Sequence, residues 1–466
     1  MTGGTFVAIT HWSKSSNLPE GGGGFNPRIK SRINVGFSPG RMLFAGYPSL
    51  RFFRRNGGIQ RTSTISYDSQ TKAIMPAMQV IRLTLLLAVA SIAAAQSPEP
   101  SLSPWQMQES GTTASLRGID SVDGTVAWAS GTGGTVLKTT DGGAHWQKCA
   151  IPDAATDGAT LDFRGVQAWD AQTAIVMASG SGEKSRLYKT TDGCKTWERT
   201  FTDPDKDGFY DAVLFIDSRH GLVLGDPAHG DPRINPAEGG YFAFRIRVTH
   251  DAGKTWAPIT DPEVPQPGKN LMPLQGEAFF AASNSSIAIR DGWLWMATSQ
   301  NRVLRRRIAD SDFQSWYCAG ALDPISHGCG IPWINLETAP VPLVRGNSSS
   351  GIFSIAFRDE SHGMVVGGDY TKPNESTGTA AGSADGGEHW TASTILPHGF
   401  RSAVQWSEAL KAWITVGTSG SDISRDDGKT WQLLDNGNWN ALSLPFVVGP
   451  NGRIARLNSG AIPPSR

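Results

Sequence analysis

An octapeptide that ends in tryptophan recurs five times in this 466-residue chain. In each copy an Asp lies five residues before the Trp, and a Ser or Thr lies two residues before that Asp. These residue types predict a tight turn, because a carboxylate accepts hydrogen bonds from backbone N–H groups, Gly adopts a positive φ and Trp buries its ring. The copies read TTDGGAHW (139–146), TTDGCKTW (190–197), THDAGKTW (249–256), SADGGEHW (383–390) and SRDDGKTW (424–431).

The octapeptide resembles the Asp-box (BNR) repeat, S/T-x-D-x-G-x-T/H-W. This resemblance implies a β-propeller. In such a propeller the turn, which we call the box, joins the third and fourth strands of a blade. The 54 Gly, 28 Pro and 16 Trp residues are typical of a turn-rich all-β protein.

Seven repeat units can be counted along the chain. Five contain the box. The fourth unit along the chain has predicted strands at 277–282, 293–297 and 303–308 and a degenerate box that ends in Trp316. The last unit has strands at 441–444, 446–449 and 454–457 but no box, and we expect Trp105-Gln106-Met107 to supply its fourth strand. Closing the ring with both chain ends removes its open edge. The sequence therefore predicts a seven-bladed all-β propeller.

The connectivity of a blade places the loops. The boxes lie on one face, and the long insertions 226–241, 257–275, 317–350 and 368–382 are predicted on the other, which we call the insertion face. Enlarged loops on one face of a rigid scaffold indicate a binding surface.

Polar residues occupy the predicted start of every inner strand, at the rim of the central channel. The arginines could hold an anionic ligand by bidentate contacts, and the two carboxylates could transfer protons. Alternatively, these side chains satisfy one another in a wet channel. The seven are Arg117, Arg164, Asp211, Glu277, Ser354, Arg401 and Asn440.

Two insertions add further candidates for ligand binding. Asp226 and His229 follow a strand in the third unit, and Asp369 and Tyr370 do so in the fifth. A histidine in a Gly/Pro loop is also typical of an ordinary surface.

The stretch Asp203-Pro-Asp205-Lys-Asp207-Gly resembles a calcium-binding loop, although Leu214 at its twelfth position excludes a full EF-hand. The alternative is a solvated turn. Calcium is the one cofactor that the sequence suggests, since no G-x-G-x-x-G supports a dinucleotide site.

The N-terminal segment predicts export. Residues 78–95 contain Arg82, an apolar run and an A-x-A cleavage pattern, as in a signal peptide. Residues 1–77 would then be a non-native extension, and 96–466 the propeller; the alternative is a disordered basic extension before a membrane anchor. We expect a secreted or periplasmic monomer without a membrane span after cleavage. From Gln96 onward 31 basic residues face 40 acidic ones, which argues against nucleic-acid binding.

Export allows disulfides, and the chain has four cysteines. Cys318 and Cys329 flank a ten-residue loop and are predicted to pair. Cys149 follows the first box and Cys194 lies in the second, which predicts a bridge between adjacent blades. Four reduced thiols are the alternative, and no spacing suggests a metal site.

Residues 105–457 resemble the photosystem II stability and assembly factors, on GEAFFAASNSS (276–286), GIFSIAFRDESHGMVVGGDY (351–370) and the boxes. This resemblance implies a scaffold that binds a protein partner or an anionic ligand on its insertion face. The alternative is a glycoside hydrolase that acts on a carbohydrate at the channel, sialidase-like or with Asp211 and Glu277 as its two carboxylates. No motif supports the oxidoreductase activity that such propellers are often assigned.

Overall fold

The computed structural model describes residues 103–152, 156–229, 242–258, 273–309 and 336–462. They form seven four-stranded antiparallel sheets, and in each sheet neighbouring strands pair in chain order except where the ring closes. The predicted seven-bladed all-β propeller is therefore confirmed. The predicted signal peptide, the N-terminal extension, Trp316, Cys318 and Cys329 lie outside the described residues. No helix in the described part of the chain is long and apolar enough to cross a membrane.

The strands have the following bounds. Blade one has β2 Leu116–Ser121, β3 Ala127–Gly131, β4 Thr135–Thr139 and β5 Gln147–Cys149; blade two has β6 Phe163–Ala168, β7 Ala174–Ala178, β8 Arg186–Thr190 and β9 Glu198–Thr202. Blade three has β10 Tyr210–Phe215, β11 Gly221–His229, β12 Phe242–Thr249 and β13 Ala257–Pro258; blade four has β14 Ile287–Arg290, β15 Trp293–Ala297, β16 Arg302–Arg307 and β17 Glu337–Pro340. Blade five has β18 Ser350–Phe357, β19 Gly363–Asp369, β20 Ala380–Ser383 and β21 Thr391–Ala392; blade six has β22 Ala403–Ser407, β23 Ala412–Gly417, β24 Gly420–Ser424 and β25 Gln432–Asp435. Blade seven has β26 Ala441–Ser443, β27 Phe446–Val448, β28 Ile454–Leu457 and the N-terminal β1 Trp105–Gln108.

The ring closes as the sequence predicts. Strand β1 pairs antiparallel with β28, with Trp105 opposite Leu457. Trp105 is buried, packs against Trp439 at a centroid distance of 6.0 Å and donates its indole N–H to Ser421 Oγ at 2.9 Å. The indole thus anchors the N-terminal strand to blade six as well as to blade seven.

The box has the predicted turn geometry. Thr139 Oγ1 accepts the N–H of Gly143 at 2.9 Å and donates to Asp141 Oδ1 at 2.9 Å, and the same Oδ1 accepts the N–H of His145 at 2.9 Å. Gly143 has φ 87°, where glycine costs least. These bonds, first of all that from the His145 N–H, lower the pKa of Asp141 to about 2. The box is therefore a folding element whose polar groups bond one another.

Basic side chains on the third strand of four blades fasten each of those blades to the box of the next. Each donates to a box carbonyl and lies over an aromatic ring of its own or the neighbouring blade, which adds cation–π attraction. This contact could not be predicted from the sequence, because it depends on the register of two neighbouring blades. The four are Lys138 with Gly193 O, Lys189 with Ala252 O, Arg305 with Gly386 O and Arg456 with Gly142 O.

Blade four departs from the prediction. Its inner strand is Ile287–Arg290, so the predicted strand at 277–282 is wrong. Its fourth strand is Glu337–Pro340 and does not directly follow Trp316. Most of the predicted insertion 317–350 lies outside the described residues; residues 341–349 follow β17 and lead into β18, so this part joins blades four and five on the insertion face. The apolar residues Phe279 and Phe280 resemble a strand pattern, but Phe279 packs in the core between blades three and four and Phe280 stacks on Phe353 at the channel.

The segment before β14 crosses the channel. Asn284 accepts the N–H of Val213 at 2.8 Å and donates to the carbonyls of Val213 and Val166 at 3.0 and 3.4 Å. Ser283 donates to the carbonyl of Ser402 at 2.8 Å, and Ser285 to Ser354 Oγ at 2.8 Å. Residues 283–285, the channel plug, therefore bond to the inner strands of blades two, three and five and to Ser402, just before that of blade six.

The disulfide between Cys149 and Cys194 is confirmed. It joins the outer strand of blade one to the box of blade two, and the two Cα atoms are 5.6 Å apart. Cys194 takes the position that glycine has in the other boxes and has φ 68°. Cys194 therefore adopts the left-handed backbone conformation that glycine has in the other boxes, and the disulfide links the two blades covalently.

Candidate functional site

A bulge at the start of the inner strand determines which side chains point into the mouth of the central channel on the insertion face. The ladder skips one residue in four blades, and a bulge re-aims the side chain of the skipped residue. In blades one to three the skipped residues are those predicted at the rim, but in blade five the residue is Phe353 rather than Ser354. The four are Arg117, Arg164, Asp211 and Phe353.

Arg117 and Arg164 form a buried guanidinium pair. Arg164 Nε and Nη2 each lie 2.7 Å from Asp162 Oδ2, and its Nη1 donates to the carbonyl of Ala281 at 3.1 Å. Burial, and then the charge of Arg164, lower the pKa of Arg117 to about 10, against the attraction of Asp162. The two guanidinium groups therefore lie close together beside one carboxylate.

Aromatic side chains line the same mouth. Phe280 stacks on Phe353 with centroids 3.7 Å apart, and Phe400 and Tyr370 meet Phe353 edge-on at 4.7 and 6.2 Å. Phe353 and Phe400 are fully buried, whereas Phe280 and Tyr370 are partly exposed. Burial, and then Asp369, raise the pKa of Tyr370, whereas the charge of Arg164 lowers it. Ala281, the residue after Phe280, accepts the hydrogen bond from Arg164 Nη1, so the rings lie beside the arginine pair. The mouth thus joins an aromatic surface to the arginine pair.

Sequence reasoning found Tyr370 but missed the three phenylalanines. Phe353 immediately precedes the predicted rim residue Ser354, and Phe400 immediately precedes Arg401. An aromatic residue precedes the predicted rim residue in five units, so the sequence contained the pattern but did not single out these two phenylalanines.

Arg401 belongs to a different network. Gly417 approaches the carbonyl of Phe400 as Gly131 approaches that of Ser115, so Ser402 rather than Arg401 corresponds to Arg117. Arg401 is fully buried; its Nε donates to Asp422 Oδ2 at 2.7 Å and its Nη1 to the carbonyl of Phe400 at 2.8 Å. The predicted cluster of three arginines is consequently a pair plus a separate ion pair.

Glu277 is held by the protein itself. Arg302 Nη2 lies 2.5 Å from its Oε2 and Arg302 Nε 3.0 Å from its Oε1. Thr298 Oγ1 and the Leu274 N–H add bonds of 2.6 and 2.7 Å. Asp211 is buried at the bulge of blade three. Because both oxygens of Glu277 accept such bonds, the geometry gives the two-carboxylate hypothesis no support.

The remaining predicted contacts stabilise loops. Asn440 donates to the carbonyl of Leu116 at 2.7 Å, and Asp226 Oδ1 accepts the N–H of Phe279 at 3.2 Å. Although burial raises it, bonds from Thr371 and Ser349 bring the pKa of Asp369 to about 2. The side chain of His229 lies outside the described residues.

The predicted calcium loop contains a protein cation. Arg245 Nη2 lies 2.5 Å from Asp205 Oδ2, and its Nη1 lies 3.9 Å from Asp203 Oδ2. Asp207 pairs with Lys206, and its N–H bonds to Asp205 Oδ1 at 3.0 Å. The guanidinium of Arg245 thus lies against the carboxylates of Asp203 and Asp205, which the predicted calcium site would need.

Comparison with known proteins supports the family resemblance. No protein-family model matches the chain. It is 24% identical over 327 residues to the photosystem II assembly lipoprotein Ycf48 of Synechococcus sp. (strain CC9902), which covers 66% of this chain and 84% of that protein. The predicted resemblance to the photosystem II assembly factors is therefore confirmed.

Solved structures that match include Ycf48 bound to D1 peptide, at 15% identity and a TM-score of 0.49 over 78% of this chain and 99% of that one. Ycf48 from Cyanidioschyzon merolae matches at 15% identity and a TM-score of 0.38 over 77% of this chain and 100% of that one. The fold assignment rests on the seven observed sheets.

Proposed function

We propose that this chain is a protein-binding scaffold that captures a segment of a partner at the channel mouth on its insertion face. The observation that carries the proposal is the partly exposed rings of Phe280 and Tyr370, backed by the buried Phe353 and Phe400, beside the Arg117–Arg164 pair. An aromatic surface next to guanidinium groups suits a peptide with an apolar side chain and a carboxylate. The similarity to a protein named as an assembly lipoprotein supports the same conclusion.

The channel plug supports binding at the mouth rather than within the channel. Residues 283–285 bond across the space between four blades, so a partner is met at the surface of the propeller. A scaffold function needs an accessible surface but no complete set of catalytic residues. The bonds from Arg302 and Thr298 to the Glu277 carboxylate are consistent with a structural role for that residue.

We expect partner capture to depend on Tyr370 and Arg164. A photoreactive phenylalanine in place of Phe280 should crosslink a polypeptide in the native host, and Tyr370→Ala or Arg164→Met should reduce the yield at least tenfold. The aromatic contact and the charge are each removed by one of these changes. Crosslink yield is measured on gels together with the thermal melting temperature of each variant.

Lys429→Glu is the matched control, because Lys429 is exposed on the box face. It should leave the crosslink unchanged. Equal yields from the wild type and a well-folded Tyr370→Ala variant would contradict binding at the channel mouth.

We also propose that the protein is exported, with residues 78–95 as its signal peptide. The Cys149–Cys194 bridge supports this proposal, because structural disulfides persist in oxidising compartments. N-terminal sequencing of the mature protein should begin at Gln96. A mature chain that retains residues 78–95 would contradict it.

A further inference from the structure

A groove lies where the ring closes, between blades seven and one. It has a volume of about 840 Å³. We call it the seam groove; it is lined by residues 107–113, Lys148, Asn438 and residues 450–453. Its walls are the outer strand of blade seven and the inter-blade segment after it, together with the loop between β27 and β28. These loops lie on the insertion face, as the channel mouth does.

The seam groove runs from the outer edge of the propeller toward the channel mouth. Met107 marks the outer end, in strand β1. Asn438 marks the inner end, two residues before Asn440, which bonds to the carbonyl of Leu116 beside Arg117. Three strand spacings separate an outer from an inner strand, roughly 14 Å, which is the length of about four residues of extended chain.

Two cations line the seam groove. Lys148 is exposed, and Arg453 is partly exposed with its guanidinium 5.1 Å from the ring centroid of Trp439. Across the described ranges neither forms an ion pair. Glu109, also exposed, is the one carboxylate of the lining. The excess of positive charge favours an acidic ligand.

An apolar contact is available at the outer end. Met107 is 53% exposed, which makes it one of the most exposed large hydrophobic residues of the described structure. Methionine adapts to partners of varied shape. Next to it, the inter-blade segment turns at Gly111, which has φ 69°, and Ser110 Oγ bonds to the backbone of Thr112.

We infer that the seam groove binds an extended acidic segment of the partner protein, about four residues long. A carboxylate side chain of that segment pairs with Lys148 and Arg453, and an apolar side chain packs against Met107. The inference rests on the proposed scaffold function and adds a second contact, so that one partner is held both at the seam and at the channel mouth.

A labelled octapeptide of alternating Glu and Leu tests the inference on the full chain by fluorescence anisotropy. The wild type should bind it, and Lys148→Glu should weaken the affinity about tenfold, which corresponds to one lost charge contact plus a like-charge repulsion. Lys148→Arg should restore it. Lys429→Glu on the box face is the matched control and should bind as the wild type does.

The outcomes are distinct from those of the channel mouth. The channel mouth can also take up this peptide, so the comparison is repeated with Arg164→Met in both proteins; Lys148→Glu should still weaken octapeptide binding about tenfold, since Arg164 is not in the groove lining. Equal affinities of the wild type and Lys148→Glu, or a peptide of alternating Lys and Leu that binds as tightly, would overturn the acidic-segment assignment. Either result leaves the crosslinking test of the proposed function intact.

Discussion

Replacing Cys149 and Cys194 by serine should lower the free energy of unfolding by about 4 kcal/mol. The bridge closes a loop across a sequence separation of 45 residues. For a loop of this length the chain-entropy model gives a stabilisation of about 4 kcal/mol, because the cross-link restricts the unfolded chain. Unfolding in denaturant under non-reducing conditions, with the reduced wild type as comparison, measures the effect.

A matched variant separates the bond from the backbone. Cys149→Ala with Cys194→Gly also removes the bridge but restores the glycine of the other boxes at a position with φ 68°. Glycine relieves the left-handed strain, so this variant should be more stable than the double serine variant by about 1 kcal/mol. A double serine variant as stable as the oxidised wild type would show that the bridge contributes nothing.

Removal of the disulfide should weaken the contact between blades one and two. Lys138 of blade one donates to the carbonyl of Gly193, the residue before Cys194, at 2.9 Å. The disulfide and this charged hydrogen bond therefore hold the same pair of blades together, so removal of the bridge should also weaken the Lys138 contact.

Repetition explains what the sequence could predict. Five copies of one turn define the third and fourth strands of five blades, and the cysteines at 149 and 194 are brought together by adjacency of two such turns. The count of strands per unit also predicts that the N-terminal strand completes blade seven, since the last unit contains only three strands of its own. A local turn with fixed spacing carries its own register, and so these elements needed no tertiary information.

The channel could not be predicted in the same way. The segment containing Phe279 and Phe280 has the apolar pattern of a strand. Tertiary packing instead buries Phe279 between blades three and four, places Phe280 at the mouth and sets Asn284 across the channel. The bulges shift the register by one residue, which exchanges Phe353 for Ser354 at the rim. Neither a plug nor a bulge leaves a pattern in a single sequence, because both depend on which backbone groups of other blades remain to be bonded.

Arg401→Met should lower the free energy of unfolding by about 3–5 kcal/mol, the range for one partner removed from a buried ion pair. Arg401 and Asp422 are both fully buried, and Arg401 also bonds to the carbonyl of Phe400 and to Ser419 Oγ. Burial lowers the pKa of Arg401 although Asp422 raises it, so the ion pair opposes a real desolvation cost. Chemical unfolding at neutral pH measures the loss.

The comparison with Arg164 decides what Arg401 does. If Arg401 stabilises blade six, then Arg401→Met together with Asp422→Leu should recover part of the lost stability, because no buried charge is left unpaired. The partner crosslink at position 280 should survive Arg401→Met in the folded fraction, whereas it should be lost in Arg164→Met. An Arg401→Met protein with unchanged stability and no crosslink would instead show that Arg401 contributes to partner binding, as the sequence alone predicts. The registers of Gly131 and Gly417 favour the first result, since they set Ser402 and not Arg401 at the channel.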